Sequence, residues 1–576
     1  MRPILKRSTE RDRDEYFESE SLKTFMILVS LVHMSKDKTK ITKIPKYLKL
    51  IKRITKSMFN KGNVRVLSVE KAIEIAGNGH SYQLRTLILF SVQWLFASII
   101  FYGRKFFFIQ PDIYCSSATE SSFLCTETQA CSGDYTYEFD PNGPNTLVKE
   151  FDLICENAYF INLFAAAFFM GSATGAYYWT DVQQAKGRLY TLIQTTTLVG
   201  FVMMASILSF NIYINIAAIF LAGFGLFGFM NASIVYYVEI SSENLRVLGP
   251  NLFLVAWALG EVLLSTVLQL VSNWRPLAFI FMGAPMAIAA LFYRFMKESP
   301  RYLVLQEKFD EAKTSIQNIA KINQRTLMEF AFENEMKLGY TTNNFFYQTQ
   351  QTPEEKTKQK TVMTLCKYPA LRTPTWVILV FWILFTIGNH GTVLALKHFN
   401  DSAQESLLTV GVVELFGYII AGYCCLNFRR KSILRFAFIA GGFVYLVFAL
   451  VNQRPGDIDI DTAGGMMVLL LVLGRGAVCI GIGTMYVYIT EVYPTSVRHF
   501  GFGFFTASSY LALIFVMNMV EPLRDIGLRP SFLVGVAYIG MIWMLKYVPE
   551  TQKNKLVDYI NEEDDLLLNK QHIEMI

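Results

Sequence analysis

Charged residues are scarce in this chain. Of its 576 residues only 17% are charged, whereas 52% are hydrophobic and 47 are Phe. A soluble protein of this length needs more charge to cover its surface. The formal net charge of +6 is small and spread along the chain, so it indicates no nucleic-acid partner. The composition excludes an ordinary soluble globular protein and predicts a protein that lies in the lipid bilayer.

Sequence signals for several other functions are also missing. No Walker loop precedes a helix, which argues against ATP-driven transport, and no motif predicts a cofactor or an enzymatic reaction. No secretory signal peptide is evident, because residues 1–22 are dense in Arg, Glu and Asp and the apolar stretch 25–32 is short. We expect an amphipathic or disordered arm there. The basic stretch 36–61 fits a tail near anionic lipid, or a merely solvated tail.

Long apolar runs dominate the rest of the chain. A helix of ~20 apolar residues crosses a hydrocarbon core of ~30 Å. Twelve such runs, six in each half, lie near 86–108, 158–180, 189–210, 213–238, 249–271, 277–296, 374–397, 406–426, 432–451, 464–490, 501–520 and 531–548. We therefore predict an all-α polytopic membrane protein with six-helix bundles at 85–296 and 374–548. The remaining segments are an N-terminal region (1–84), a central loop (297–373) and a tail (549–576).

A long internal repeat relates the two halves. Glu239, Arg246 and Gly249 recur 252 positions later (491 − 239) as Glu491, Arg498 and Gly501, and Glu298 recurs as Glu550 at the same offset. Two similar membrane bundles, each with a charged turn, are the build of a two-domain secondary transporter.

The distribution of Lys and Arg predicts the orientation of the chain. A cytoplasmic N-terminal region places the loop 109–157 outside, where Lys149 is its only Lys or Arg. Both ends of the chain are then cytoplasmic, and we expect a multi-pass protein of the plasma membrane. The short inside loops carry Lys186, Arg188, Arg246, the cluster 429–431 and Arg498.

Half of the eight cysteines fall in the outside loop, at Cys115, Cys125, Cys131 and Cys155. Cysteines clustered on the oxidising side indicate one or two disulfides, and four cysteines allow three pairings. A metal site is less well supported, because the loop has no paired CxxC motif and no His. The loop also lacks an N-x-[ST] glycosylation acceptor.

The repeated Glu and Arg residues lie seven positions apart across a turn. Such residues can pair with their counterparts in the other half and latch the two bundles on one side of the membrane. Breaking the pairs costs little if water enters the gap and much if it does not. Interfacial anchoring of the helix ends is the simpler alternative, but the duplication favours a gate.

Several stretches resemble one known family in the same order along the chain. Residues 77–83 (GNGHSYQ) and 150–155 (EFDLIC) resemble the family's entries to the first and second spans. Residues 298–303 (ESPRYL) with 311–312 (EA) resemble the stretch after its sixth span, and 474–475 (GR) with 488–498 (YITEVYPTSVR) resemble its tenth. The chain from about 65 to 551 is thus similar to the major facilitator superfamily, in its organic cation/anion/zwitterion transporter branch.

The resemblance implies a carrier of small organic ions that works by alternating access. Two loops depart from the family pattern: the loop 181–188 is stretched relative to "GxxxDRxGRR", and 427–431 has lost its Asp and Gly. The gating residues that the repeat and the resemblance predict are Asp181, Arg188, Glu239, Arg246, Glu298, Arg301, Arg430, Glu491 and Arg498.

Ionisable residues inside membrane helices mark candidate substrate sites. Glu414 matches an acidic position of the family's eighth span, and Glu261 lies in the fifth. Aromatic rings can hold an organic cation, although any one ring can equally serve helix packing. His390 is a candidate proton-sensitive group or a packing residue. The aromatic candidates are Trp382, Trp257, Tyr486, Tyr418, Phe416 and Tyr510.

Position 510 bears on substrate charge. Cation transporters of the branch carry Asp there and anion or carnitine types carry Arg, whereas this chain has Tyr510. Tyr418 lies where anion members place a Lys. Without these positive groups an anion has no evident partner, so Glu414 favours a cationic or zwitterionic substrate. A carrier for organic anions, polyols or sugars, and a non-transporting receptor or scaffold, remain alternatives. The sequence specifies neither coupling ion nor oligomeric state, and a monomer is compatible with it.

Overall fold

The computed structural model describes residues 65–77, 79–104, 106–116, 122–332, 363–396, 403–451 and 460–552. The arm at 25–32, the basic stretch 36–61 and most of the tail 549–576 lie outside them.

Twelve helices in the described chain are long and apolar enough to cross a membrane, so the predicted twelve-span all-α fold is confirmed. A helix satisfies its own backbone hydrogen bonds, which lipid cannot do. The helices are α1 Ser81–Gly103, α2 Tyr159–Lys186, α3 Arg188–Ile207, α4 Ile212–Ile240, α5 Glu243–Leu270, α6 Trp274–Tyr293, α7 Pro369–Leu396, α8 Ala403–Asn427, α9 Arg430–Val451, α10 Ile460–Val492, α11 Arg498–Asp525 and α12 Pro530–Met544.

The connection between α2 and α3 is a single residue, Gly187. Its φ of +105° lies in the region that favours glycine, and a Cβ there would overlap the carboxylate of Glu298. The predicted end of the second span at 180 is therefore wrong, because the helix continues to Lys186. Asp181 lies within this helix rather than in a loop, and its side chain is exposed.

The two halves meet along two pairs of helices, α2 with α11 and α5 with α8. Small residues allow the close approach. Gly503 of α11 lies against Thr180 and Ala176 of α2, and Gly411 of α8 lies against Val262 of α5. These contacts close the halves against each other.

The segment between α1 and α2 carries a small sheet that the apolar pattern did not predict. Its strands run in the order β3-β2-β4, all antiparallel, and two disulfides, Cys115–Cys125 and Cys131–Cys155, cross-link the segment. A separate unit of the chain contains one parallel pair, β1 with β5. The strands are β1 Arg65–Leu67, β2 Ile113–Ser116, β3 Phe123–Cys125, β4 Thr136–Phe139 and β5 Phe330–Phe332.

The disulfide-bonded segment is tied to the helices at one end of the bundle, which we call the loop face. Glu150 accepts a hydrogen bond from Trp274 Nε1 at 2.8 Å and forms an ion pair with Arg275, both at the start of α6. The opposite end, where α3, α5, α9 and α11 begin, is called the charged face.

Between α6 and α7 the described chain contains three short helices, Pro300–Leu305, Phe309–Ile322 and Met363–Lys367. The second has the amphipathic pattern that the sequence predicts, with Ala312, Ile316 and Ile319 buried. The predicted linker at 340–360 lies outside the described residues.

Candidate functional site

A central cavity lies between the two halves. Five predicted residues line it: Trp257, Trp382, Tyr418, Tyr486 and Tyr510. Its volume is about 70 Å³, which holds a few water molecules rather than an organic ion. The halves must therefore move apart before a substrate of that class can enter.

Aromatic rings form most of the cavity wall. Trp382 meets Tyr486 edge to face at a centroid distance of 4.9 Å, and Phe101 lies 5.3 Å from Trp257. Behind them Trp94 is fully buried and donates a hydrogen bond from Nε1 to Ser233 Oγ at 2.9 Å. The exposed faces of such rings attract organic cations.

Phe416 does not belong to this wall, and its prediction is wrong. Its side chain is 60% exposed on the outside of the bundle. It lies only two residues from Glu414, and successive positions on a helix point in different directions.

Glu414 is fully buried beside the cavity and forms an ion pair with Arg475, which is also fully buried. Arg475 also donates to the backbone carbonyl of Asn389. Tyr102, on α1 in the other half, donates to Glu414 Oε1 at 3.3 Å. Glu414 thus forms an ion pair within its own half and accepts a hydrogen bond from the other half.

Glu261 on α5 is also fully buried. It interacts electrostatically with Tyr102 and with Arg475. Arg475 thus has Glu414 as its ion-pair partner and Glu261 close by, and with both glutamates ionised the formal charge of the three groups is −1. A cationic group that enters the cavity from the side of Tyr102 is attracted to this cluster.

Sequence reasoning missed two arginines next to the cavity, Arg475 and Arg104. The expectation that an anionic group has no positive partner here is therefore wrong. Arg475 could have been found, because it interrupts the apolar run 464–490 just as Glu414 interrupts the run before it. Arg104 lies at the end of the first apolar run, where a charge near the membrane interface gives no comparable signal.

His390 lines the cavity and contacts both halves. Its Nδ1 lies 2.9 Å from the carbonyl of Thr386, and its ring meets Phe101, Phe169 and Tyr510 edge to face. Contact with three aromatic rings fits the packing role that the sequence left open.

The repeated charges form one cluster in each half at the charged face. Arg188 pairs with Glu239 at 3.1 Å, with side-chain exposures of 1% and 0%, and Arg430 pairs with Glu491 at 2.6 Å. In both clusters an arginine at the start of one helix meets a glutamate in the last turn of another helix of the same half. Such buried pairs lose much stability when one partner is removed.

A second glutamate completes each cluster at a helix N-terminus. Glu298 accepts backbone N–H bonds from Arg188 at 3.2 Å and Leu189 at 3.0 Å, and Glu550 accepts them from Arg430 at 3.0 Å and Lys431 at 3.2 Å. The first N–H groups of a helix lack partners within the helix, so a carboxylate there is stabilised. The internal repeat therefore encodes the capping of α3 and of α9.

The expected pairing of Glu239 and Glu491 with residues of the other half is wrong. Both find arginines in their own half, because a tight turn brings the start of α3 or α9 next to them. Arg246 pairs with Glu70 at 2.7 Å, and Arg301 lies 3.9 Å from the same carboxylate.

Two further predicted gating residues, Arg498 and Asp181, are not members of these ion pairs. Arg498 is fully buried at the start of α11. Asp181 is exposed on α2, away from the cluster that Arg188 forms.

Glu298 supports a prediction about pH. Burial raises the pKa of Glu298 to about 7, although the backbone N–H of Ser299, Arg188 and the N–H of Leu189 act in the opposite direction. The folded protein therefore binds this proton more tightly than the unfolded chain does. The stabilisation is fully present below the unfolded pKa of ~4.3 and is lost as the pH rises through about 7.

We expect the melting temperature of the purified protein in detergent to fall by several degrees between pH 5 and pH 7.5. Glu298→Gln should remove most of this dependence, measured by intrinsic fluorescence. Glu307→Gln removes an equal charge from an exposed site nearby and should leave the dependence in place. An identical slope in the wild type and in Glu298→Gln contradicts the prediction.

Known structures share this fold. The proton:xylose symporter XylE from E. coli, solved with a bromodeoxyglucose bound, superposes with a TM-score of 0.55 at 16% identity, covering 85% of this chain and 97% of the symporter. Organic cation/carnitine transporter 2 from Homo sapiens is 24% identical over 419 residues, which cover 73% of this chain and 72% of the relative.

A second relative has the same level of similarity. Organic cation transporter 1 from Caenorhabditis elegans is 24% identical over 407 residues, covering 71% of this chain and 67% of the relative. The predicted resemblance to the organic ion branch of the major facilitator superfamily is confirmed. The family model "Sugar (and other) transporter" matches residues 114–562, and the chain therefore belongs to this family of membrane transporters.

Proposed function

We propose that the protein carries small organic ions across the plasma membrane by alternating access, with a preference for cations or zwitterions and without covalent chemistry. The observation that carries the proposal is the aromatic cavity between the halves, next to two buried glutamates, of which Glu414 pairs with Arg475. The two relatives described above are named as organic cation carriers, which supports the same preference.

The packing suggests how the cavity opens. The α2–α11 and α5–α8 contacts close the halves, so separation at one end exposes the cavity to that side only. The clusters Arg188–Glu239–Glu298 and Arg430–Glu491–Glu550 each join helices of one half. They would keep each half rigid while the halves rock against each other.

We further propose that the charged face is cytoplasmic and the loop face is extracellular. Disulfides persist in oxidising compartments, and Cys115–Cys125 and Cys131–Cys155 lie at the loop face. The arginines and lysines of the opposite turns agree with the positive-inside rule. Because one chain supplies the entire cavity, a monomer would suffice for transport.

Uptake in expressing cells tests this function. We expect radiolabelled tetraethylammonium to accumulate above the level of untransfected cells and p-aminohippurate to accumulate much less. Uptake of p-aminohippurate alone would overturn the preference for positive charge. No flux of a broad library, combined with ligand-dependent thermal stabilisation of the purified protein, would instead indicate a receptor with a transporter fold.

A further inference from the structure

Arg104 is a buried cation just beyond the end of α1. Its side chain is 6% exposed, and its Nε donates to the carbonyl of Phe101 at 2.8 Å. Its guanidinium carbon lies 5.0 Å, 4.2 Å and 4.5 Å from the ring centroids of Phe101, Phe168 and Phe169. Three aromatic rings thus hold a charge that is nine-tenths removed from solvent.

No carboxylate among the described residues lies within ion-pair distance of Arg104. Three other buried arginines, Arg188, Arg430 and Arg475, each pair with a glutamate. A buried guanidinium without a counterion is unfavourable in a membrane protein, and cation–π contacts offset only part of the cost. The burial of this guanidinium points to an anionic ligand that is not part of the chain.

The surroundings of Arg104 direct it towards the central cavity. Phe101 lines the cavity, and Phe169 stacks on the cavity residue Tyr510 at 5.7 Å. The guanidinium also lies near the hydroxyls of Tyr510 and Tyr102. Arg104 therefore lies directly behind the aromatic wall, at the end of α1 that leads to the loop face.

Tyr102 separates Arg104 from the charges on the opposite side. Its hydroxyl donates to Glu414, which pairs with Arg475 and has Glu261 in the same cluster. One end of the site is thus formally negative by one unit and the other end is formally positive. A molecule that carries a cationic and an anionic group at opposite ends is complementary to both.

We propose that Arg104 binds the carboxylate of the transported molecule, so that a zwitterion with separated charges is the preferred substrate over a simple cation. This rests on the proposed organic ion transport and assigns the substrate class of the same cavity. When the halves part at the loop face, the guanidinium leaves its aromatic cage and pairs with the carboxylate. The planar fork of arginine suits bidentate carboxylate binding.

Uptake kinetics of two probes test the role of Arg104. Carnitine carries both charges and tetraethylammonium carries only the positive one. In Arg104→Met we expect the KM for carnitine to rise about tenfold or more, while the KM for tetraethylammonium changes less than twofold. Arg104→Lys keeps the charge but loses the planar guanidinium, so it should raise the carnitine KM severalfold. If Arg104→Met does not reach the cell surface, Arg104→Lys still tests the proposal.

A matched control is Arg529→Met, which removes an arginine bonded to the carbonyl of Ala449 at the start of α12. It should leave the ratio of the two KM values unchanged. Equal losses for both probes in Arg104→Met mean a structural role and overturn the proposal. Wild-type uptake of tetraethylammonium without carnitine overturns it while the transport function stands, and no wild-type flux of either probe overturns both.

Discussion

Replacement of Glu414 by Gln is expected to lower the uptake of organic cations at least tenfold. Glu414 is fully buried, and its carboxylate is the counterion of Arg475 and the acceptor of the Tyr102 hydroxyl. The variant leaves the Arg475 charge without that partner, a loss typically worth ~3–5 kcal/mol. It also neutralises the Glu414–Arg475–Glu261 cluster, whose formal charge changes from −1 to 0, so an entering cation is no longer attracted.

A double variant separates folding from substrate recognition. Glu414→Gln/Arg475→Gln removes both charges, so the surface level measured by biotinylation should exceed that of either single variant. Cation uptake per surface molecule should nevertheless stay low, because Glu261 restores the formal charge of −1 but the carboxylate at position 414 is still missing. Glu405→Gln, an exposed glutamate in the first turn of the same helix, is the matched control and should retain wild-type uptake. Unchanged kinetics in Glu414→Gln would remove this residue from the site.

Gly503→Val is expected to abolish most transport because it prevents the two halves from closing. A Cβ at Gly503 would lie 2.6 Å from the carbonyl oxygen of Ala176 and even closer to the hydroxyl of Thr180. Both neighbours belong to α2 of the other half, and a backbone carbonyl cannot rotate away. Overpacking of this kind costs ~1–3 kcal/mol, which shifts a two-state equilibrium about 5- to 150-fold. The halves should therefore remain apart at the charged face.

The rate at which a cysteine in the cavity is labelled measures this shift between the closed and open arrangements of the halves. Ser509 lines the cavity and is fully buried in the closed arrangement, so Ser509→Cys reports opening. In inside-out membrane vesicles we expect a membrane-impermeant maleimide to label this cysteine several times faster when Gly503→Val is present. Gly540→Val is the control, because nothing lies within 4 Å of a Cβ at Gly540 on α12. Equal labelling with and without Gly503→Val would show that this contact does not control access.

For the charged motifs, the sequence predicted the repeat but not the ion pairs. The repeat of Glu239 and Glu298 as Glu491 and Glu550 correctly indicated two related halves, because the repeated residues occupy equivalent turns. It did not predict their partners. Arg188 and Arg430 are 242 positions apart rather than 252, so the pairing of each glutamate with an arginine of its own half was hidden from a search at one offset.

The residues of the cavity could likewise be predicted only in part from the sequence. Trp257, Trp382, Tyr418, Tyr486 and Tyr510 were predicted and do line it. Phe416 was included wrongly, since adjacent helical positions differ in direction and only the packed bundle decides which of them faces inward. Arg104 gave no signal, because its burial results from Phe168 and Phe169 on a different helix.

By itself the sequence determined that this protein spans a membrane twelve times as two related halves, because helix formation in lipid follows from the length of apolar runs. Only the tertiary structure decided which charges meet. Ion pairs such as Glu414 with Arg475 and Arg188 with Glu239 join residues 61 and 51 positions apart. Their geometry depends on helix packing and, for Arg188, on the one-residue turn at Gly187, neither of which local sequence patterns specify.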